Sequence, residues 1–186
     1  MKEEVLKDLQ EKGKGATEAL KQALMRIRTG RANLSMLDPI RVDYYGSKSP
    51  LNQVATLAVA DARLITVKPF DKSMLSEIEK ALRNHNELGI SPQNDGDKIL
   101  LPIPPLTEER RKEFTKVAKT KGEDAKVAVR NARRDANEAL KKLEKDGKLP
   151  EDDSKKAQAQ VQKTTDDLVK TIEDLVSKKE KEIMEV

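Results

Sequence analysis

The chain has 186 residues, of which 38% are charged and only 2% aromatic, with a formal net charge of +4. That length suits one domain or two small ones. With two Phe, two Tyr, no Trp and no Cys, a core must be built from Leu, Ile, Val and Ala, and disulfide or thiolate chemistry is excluded.

The first twelve residues, MKEEVLKDLQEK, lack the apolar stretch of a signal peptide, and no run approaches 18 apolar residues. A cytoplasmic protein without a membrane partner is expected. Residues 2 to 29 read as a helix, because Leu6, Leu9, Ala16, Leu20, Ala23 and Ile27 recur at helical spacing between charged residues. Gly13 falls on that apolar stripe, where it allows a neighbouring helix to approach closely. Gly15 weakens the helix without such a reason, and Gly30 sits where a helix C-terminus is expected.

The pattern changes at Asp38-Pro39. Ile40 to Tyr44 alternates like a strand, Gly46 to Pro50 reads as a turn, and Val54 to Val59 and Leu64 to Val67 are β-rich. Tyr44 and Tyr45 are expected on opposite strand faces, one packed and one exposed. Asp71 or Ser73 caps a short helix that buries Met74, Leu75, Ile78, Ala81 and Leu82. Loop and hairpin chemistry follows at Ile90 to Pro92 and Asn94 to Asp97, and then a last strand over Ile99 to Pro102.

Pro102-Ile103-Pro104-Pro105 stops regular structure. Thr107 caps the next helix, with Glu108 and Glu109 at its positive end, and the helix runs to Lys145. Residues 146 to 150 break it. Pro150 with Glu151, Asp152 and Asp153 starts a third helix, in which Val161, Leu168 and Leu175, and also Val169, Val176 and Ile183, repeat every seven residues. The apolar stripes are buried only if the first helix returns against the other two.

The fold class is therefore α+β. Residues 1–30 and 105–186 form a long three-helix bundle, into which a small β/α/β domain, 31–104, is inserted. The chain crosses twice between the two, at 30–31 and 102–105, so Gly30, Arg31, Pro102, Pro104 and Pro105 are hinge candidates. An L-shaped outline, a rod with a compact arm, is expected.

Charge on the second helix is sorted. Phe114, Ala118, Ala125, Ala128, Ala132, Ala136, Ala139 and Leu143 form one apolar stripe. Lys112, Lys116, Lys119, Lys126, Arg130, Arg133 and Arg134 fall on one flank, and Glu109, Glu113, Asp124, Asp135 and Glu138 on the other. A helix needing only solubility would mix the signs. A segregated positive flank attracts a polyanion. Guanidinium groups hold phosphates by paired hydrogen bonds, and the scarcity of aromatics argues against base stacking, so salt-sensitive contact with the backbone of a folded RNA is expected. The bland reading is a solvated face with surface ion pairs, and for Arg133 a salt bridge to the first or third helix. Arg28 and Arg31 suit either helix capping or RNA contact. Arg110 and Arg111, unfavourably placed in a first turn, suit a partner or the small domain.

Catalytic patterns are missing. His85, the sole histidine, reads as a helix-end residue. No metal-spaced cluster or phosphate-cradling Gly loop is present. Asp152-Asp153 and Asp166-Asp167 read as structural acids. No enzyme activity, metal or cofactor is expected.

Four strings carry a resemblance: Ile27-Arg28-Thr29-Gly30-Arg31-Ala32, Asp43-Tyr44-Tyr45-Gly46, residues 104–112 (PPLTEERRK) and residues 127–137 (VAVRNARRDAN). Over essentially its whole length, to Glu182-Ile183-Met184-Glu185, the chain resembles the ribosome recycling factor family. The string from Asn84 to Pro92 departs from the family's usual Asp-Leu-Gly-Leu-Asn-Pro. The resemblance implies a three-helix bundle with a hinged β/α/β domain, a monomer that binds the large ribosomal subunit and its ribosomal RNA after termination. Elongation factor G and GTP then separate the subunits. It makes Arg28, Arg31, Arg110, Arg111, Arg130, Arg133 and Arg134 the RNA-binding candidates. The alternative is a helical scaffold or chaperone-like module whose coiled-coil grooves bind proteins; the inserted, hinged domain favours the first reading.

Overall fold

A computed structural model describes residues 1–85 and 89–185. Part of the atypical string between Asn84 and Pro92, residues 86–88, thus lies outside the described residues. The chain divides into two compact units. One comprises Met1–Ile27 and Glu113–Lys181; the other comprises Arg28–Lys112 and the residues from Glu182 onward.

The first unit is built on three helices, α1 (Lys2–Met25), α4 (Glu108–Lys145) and α5 (Glu151–Met184). One line of buried positions on each recurs every eleven residues: Leu9 and Leu20 on α1, Ala118, Val129 and Leu140 on α4, Val161, Ile172 and Ile183 on α5. This corrects the seven-residue period read from the third helix. An eleven-residue repeat is 3.67 residues per turn, close to the natural helix, so it does not demand the left-handed supercoil of heptads. Leu168, Leu175, Val169 and Val176 lie at the edges of the core and are only partly buried.

Two of these edge residues explain two glycines. A β-carbon at Gly122 would stand 2.6 Å from Val176 Cγ2, and one at Gly13 would collide with Leu168. Each glycine lets a bulky α5 residue seat directly on a neighbouring backbone, as expected for Gly13. Gly30 does not end α1. The helix stops at Met25 with Arg26 still helical, and Ile27 closes the turn by donating its N–H to Leu24 O.

The buried line of α4 is Ala118, Gly122, Ala125, Val129, Ala132, Ala136 and Leu140. Relative to the alanine-rich stripe read from sequence, it is turned toward the basic flank. Ala128 is exposed, and Phe114, Ala139 and Leu143 are only partly buried. Alanine is small enough to sit on any face, so the larger Val129 and Leu140 decide which side goes in.

α4 is about 57 Å long at 1.5 Å per residue. Thr107 caps it, its Oγ1 accepting from the Arg110 N–H at 3.2 Å. Gly147, at φ 70°, reverses the chain after Lys145, and the Lys148 N–H returns to Leu143 O.

The second unit holds a hairpin, β1 (Arg41–Tyr44) with β2 (Ser47–Pro50), and a one-turn helix, α2 (Leu51–Val54). It also holds an antiparallel sheet of β3 (Ala55–Asp61), β4 (Leu64–Pro69), β5 (Gln93–Asn94) and β6 (Ile99–Pro102), in the order β3-β4-β6-β5. The turn expected over Gly46 to Pro50 is confined to Tyr45-Gly46, both at positive φ, as a two-residue hairpin requires; Ser47 to Pro50 is strand. Both tyrosines are consequently exposed, Tyr45 at 75%, instead of one packing inward. Tyr45 leaves the strand and donates its hydroxyl to Asp71 at 3.1 Å. Asp71, not Ser73, caps the short turn leading into α3 (Leu75–Asn84), accepting from both the N–H and the hydroxyl of Ser73. Met74, Leu75, Ile78 and Leu82 bury against the sheet residues Ile65, Val67, Ile99 and Leu101.

Candidate nucleic-acid interface

The turn of α4 toward its basic flank sets the depth of each cation. Arg133 lies nearest the core and is half-buried; Arg130 and Arg134 lie farther round and are exposed. Neither Arg130 nor Arg134 has a carboxylate partner among the described residues. Arg133 donates Nη1–H to Gln162 Oε1 on α5 at 3.1 Å, and its Nε is buried without a hydrogen-bond partner. Its anticipated alternative, a salt bridge to a neighbouring helix, is replaced by a bond to a neutral amide.

Lys126 differs. Its ammonium lies 3.2 Å from Glu173 on α5 and 3.4 Å from Glu123, and its side chain is 17% exposed. The Glu173 hydrogen bond in particular holds its pKa above the ordinary lysine value. Lys126 therefore leaves the free positive strip and becomes an interhelical tie. Lys112 pairs with Glu108 at 3.6 Å. The opposite flank of α4 is used the same way, since Asp135 meets Lys12 of α1 at 3.5 Å. The exposed Val127 lies one turn before Arg130 and Asn131, so an apolar side chain adjoins the exposed arginines.

The other four candidate arginines lie in the second unit. Arg28 donates Nη2–H to Pro104 O at 2.8 Å, linking the two crossing segments. Burial, and then the neighbouring charge of Arg110, lower its pKa from the usual guanidinium value. Arg31 pairs with Glu185 at 3.5 Å. Arg110 and Arg111 are also engaged within the protein. Both crossings are anchored to one turn of the sheet: Ala32 N–H donates to Ala62 O at 2.7 Å, and Ile103 N–H to Arg63 O at 2.8 Å. Gly30 and Pro102, Pro104 and Pro105 flank these anchors.

Two residues of the strip escape sequence reading. Gln162 meets Arg133 across the α4–α5 seam, and Asn137, one turn beyond Arg133, has its Oδ1 buried without a hydrogen-bond partner among the described residues. The only sequence signal was the one-turn spacing of Gln162 and Asp166. His85 closes α3, as expected of a helix-end residue. Among the described residues there is no group of metal-ligating side chains, and no helix is long and apolar enough to cross a membrane.

Comparison with known proteins places this arrangement. The family profile described as "Ribosome recycling factor" matches residues 20–184. Ribosome-recycling factors from Halalkalibacterium halodurans and Clostridioides difficile are 53% and 54% identical over 186 residues, covering 100% of both chains in each case. A solution structure of the ribosome recycling factor superposes with a TM-score of 0.78 at 38% identity, covering 100% of this chain and 98% of that one. A second similar chain is the T. thermophilus ribosome recycling factor, placed with E. coli elongation factor G on the E. coli post-termination complex. It gives a TM-score of 0.68 at 41% identity, with 100% of both chains covered.

Proposed function

This chain belongs to the ribosome recycling factor family, and from that premise we infer how its surface does the work. It binds the large ribosomal subunit after termination and, with elongation factor G and GTP, takes the post-termination complex apart into subunits. It is a translation factor and not an enzyme; the GTPase partner supplies the free energy. Its place is the cytoplasm, where translating ribosomes are.

The bundle, residues 1–30 and 105–186, is the RNA-binding part, and 31–104 is the hinged insert. Arg130, Arg133 and Arg134 carry the contact to ribosomal RNA. The supporting observation is that no carboxylate of the described structure neutralises these three, whereas Lys126 on the same flank is neutralised. Guanidinium groups along a helix fit the phosphates and 2′-hydroxyls of folded RNA. Arg28, Arg31, Arg110 and Arg111 form a second cationic group beside the crossings.

The test is a salt series of binding to isolated large subunits. Arg130→Ala should weaken binding by about 1.5–3 kcal/mol, as for a hydrogen bond to a charged group, and reduce the salt slope by about one. An unchanged slope with unchanged helicity removes Arg130 from the interface. The hinge at Gly30, Arg31, Pro102, Pro104 and Pro105 is tested separately. The chain lacks cysteine, so a dye pair introduced at exposed Ala60 and Lys163 labels cleanly. A distance that stays fixed through binding and subunit separation eliminates the hinge.

A further inference from the structure

Of the three arginines on the α4 strip, only Arg133 has a hydrogen-bond or ion-pair partner among the described residues. Its Nη1 donates to Gln162 Oε1 at 3.1 Å, across the α4–α5 seam. Gln162 in turn donates Nε2–H to Asp166 Oδ1 at 2.8 Å, one turn along α5. A carboxylate only accepts hydrogen bonds, so it must receive the nitrogen end of the amide. Asp166 thereby dictates that the oxygen end of Gln162 faces Arg133.

The consequence is electrostatic as well as geometric. A carboxylate at position 162 would hold the guanidinium and also cancel its charge. An apolar residue there would leave the charge and release the rotamers. A neutral oxygen, aimed by an acid one side chain away, orients the cation and leaves it a cation. Because Nε is buried, the guanidinium can meet a ligand only with its Nη edge, of which Nη2 is uncommitted among the described residues. Fixing a long side chain before binding lowers the ordering cost of the complex.

We propose that Gln162 is a positioning residue of the RNA interface: oriented by Asp166, it presets the Arg133 guanidinium for a phosphate without neutralising it. This rests on the reading of Arg133 as an RNA contact. The test compares wild type, Arg133→Ala, Gln162→Ala, Gln162→Glu and the Arg133→Ala/Gln162→Ala double variant of the full chain. Each is run in a salt series with isolated large ribosomal subunits, with helicity measured alongside.

Gln162→Ala should weaken binding about threefold to tenfold at fixed salt, the scale of one hydrogen bond, with the salt slope retained. It should have no further effect once Arg133 is gone. Gln162→Glu should keep helicity and the contact to Arg133 yet lower the salt slope by about one, as Arg133→Ala does. A structural seam residue would not move that slope. Wild-type binding by Gln162→Ala, or an effect that persists without Arg133, overturns the positioning role while leaving Arg133 in place. Unchanged affinity and slope for Arg133→Ala overturns the underlying contact, and the proposal with it.

Discussion

The middle of α4 and the chain crossings are both rich in arginine, but they treat it differently. At the crossings, Arg28 is tied to a backbone carbonyl and Arg31 to a carboxylate. On the strip, among the described residues, Arg130 and Arg134 have neither, and Arg133 has only an amide. Lys126 shows that α5 carries acids within reach of α4, because Glu173 pairs with it. The strip is therefore left unneutralised where neutralisation was structurally available. On the proposed function, a cation with an internal acid serves as an internal tie, and a cation without one is available to an external anion.

The strongest way to break this contrast is to delete the strip. Arg130→Ala, Arg133→Ala and Arg134→Ala combined should weaken binding to large subunits by about 3–6 kcal/mol, less than three independent charged contacts because neighbours couple. The salt slope should drop by about three. Thermal unfolding should stay within about 1 kcal/mol of wild type, since Arg133 alone loses an internal bond. If stability collapses instead, the strip is structural and the contrast is void.

Arg28→Ala should do the reverse on a smaller scale. It loses the bond to Pro104 O, an exchange worth about 1 kcal/mol of stability. Chemical denaturation should register that loss, while the salt slope of binding stays at the wild-type value. A slope reduced by one would move Arg28 into the same class as Arg130.

Much of this contrast was legible in the sequence, and the reasons for the remainder are physical. The ends of α4 were readable because Thr107, the prolines before it and Gly147 after it have local roles. The sorting of charge was readable because helical spacing alone sets it. The eleven-residue period was hidden because the core accepts residues that look polar or small. Thr17 and Thr165 bury by donating their hydroxyls to Gly13 O and Val161 O, each at 2.8 Å, so they carry no unpaired group inside. Gly13 and Gly122 are core positions with no side chain to register. The Lys126 tie and the Gln162 relay join residues 47 and 29 positions apart, and only the packed seam brings them together. The expectation that one of Tyr44 and Tyr45 packs inward failed because a two-residue hairpin turn overrode strand alternation.

The smallest effect is also the sharpest probe, because it runs the rule backward. Arg31 and Glu185 are 73% and 56% exposed, so their pair contributes at most about 0.5 kcal/mol. Glu185→Gln should leave the fold and its stability essentially unchanged and release Arg31 from its carboxylate partner. If an internal carboxylate is what withholds an arginine from RNA, the variant should bind large subunits slightly tighter, by less than about threefold. That gain should vanish at high salt, where exposed charges are screened within about 3 Å at 1 M. Glu185→Gln combined with Arg31→Ala should then return to the affinity of Arg31→Ala alone. A gain that survives without Arg31 belongs to the removed acid and not to the freed cation. In that case net charge near the crossings, and not the partnering of individual arginines, sets their contribution to binding.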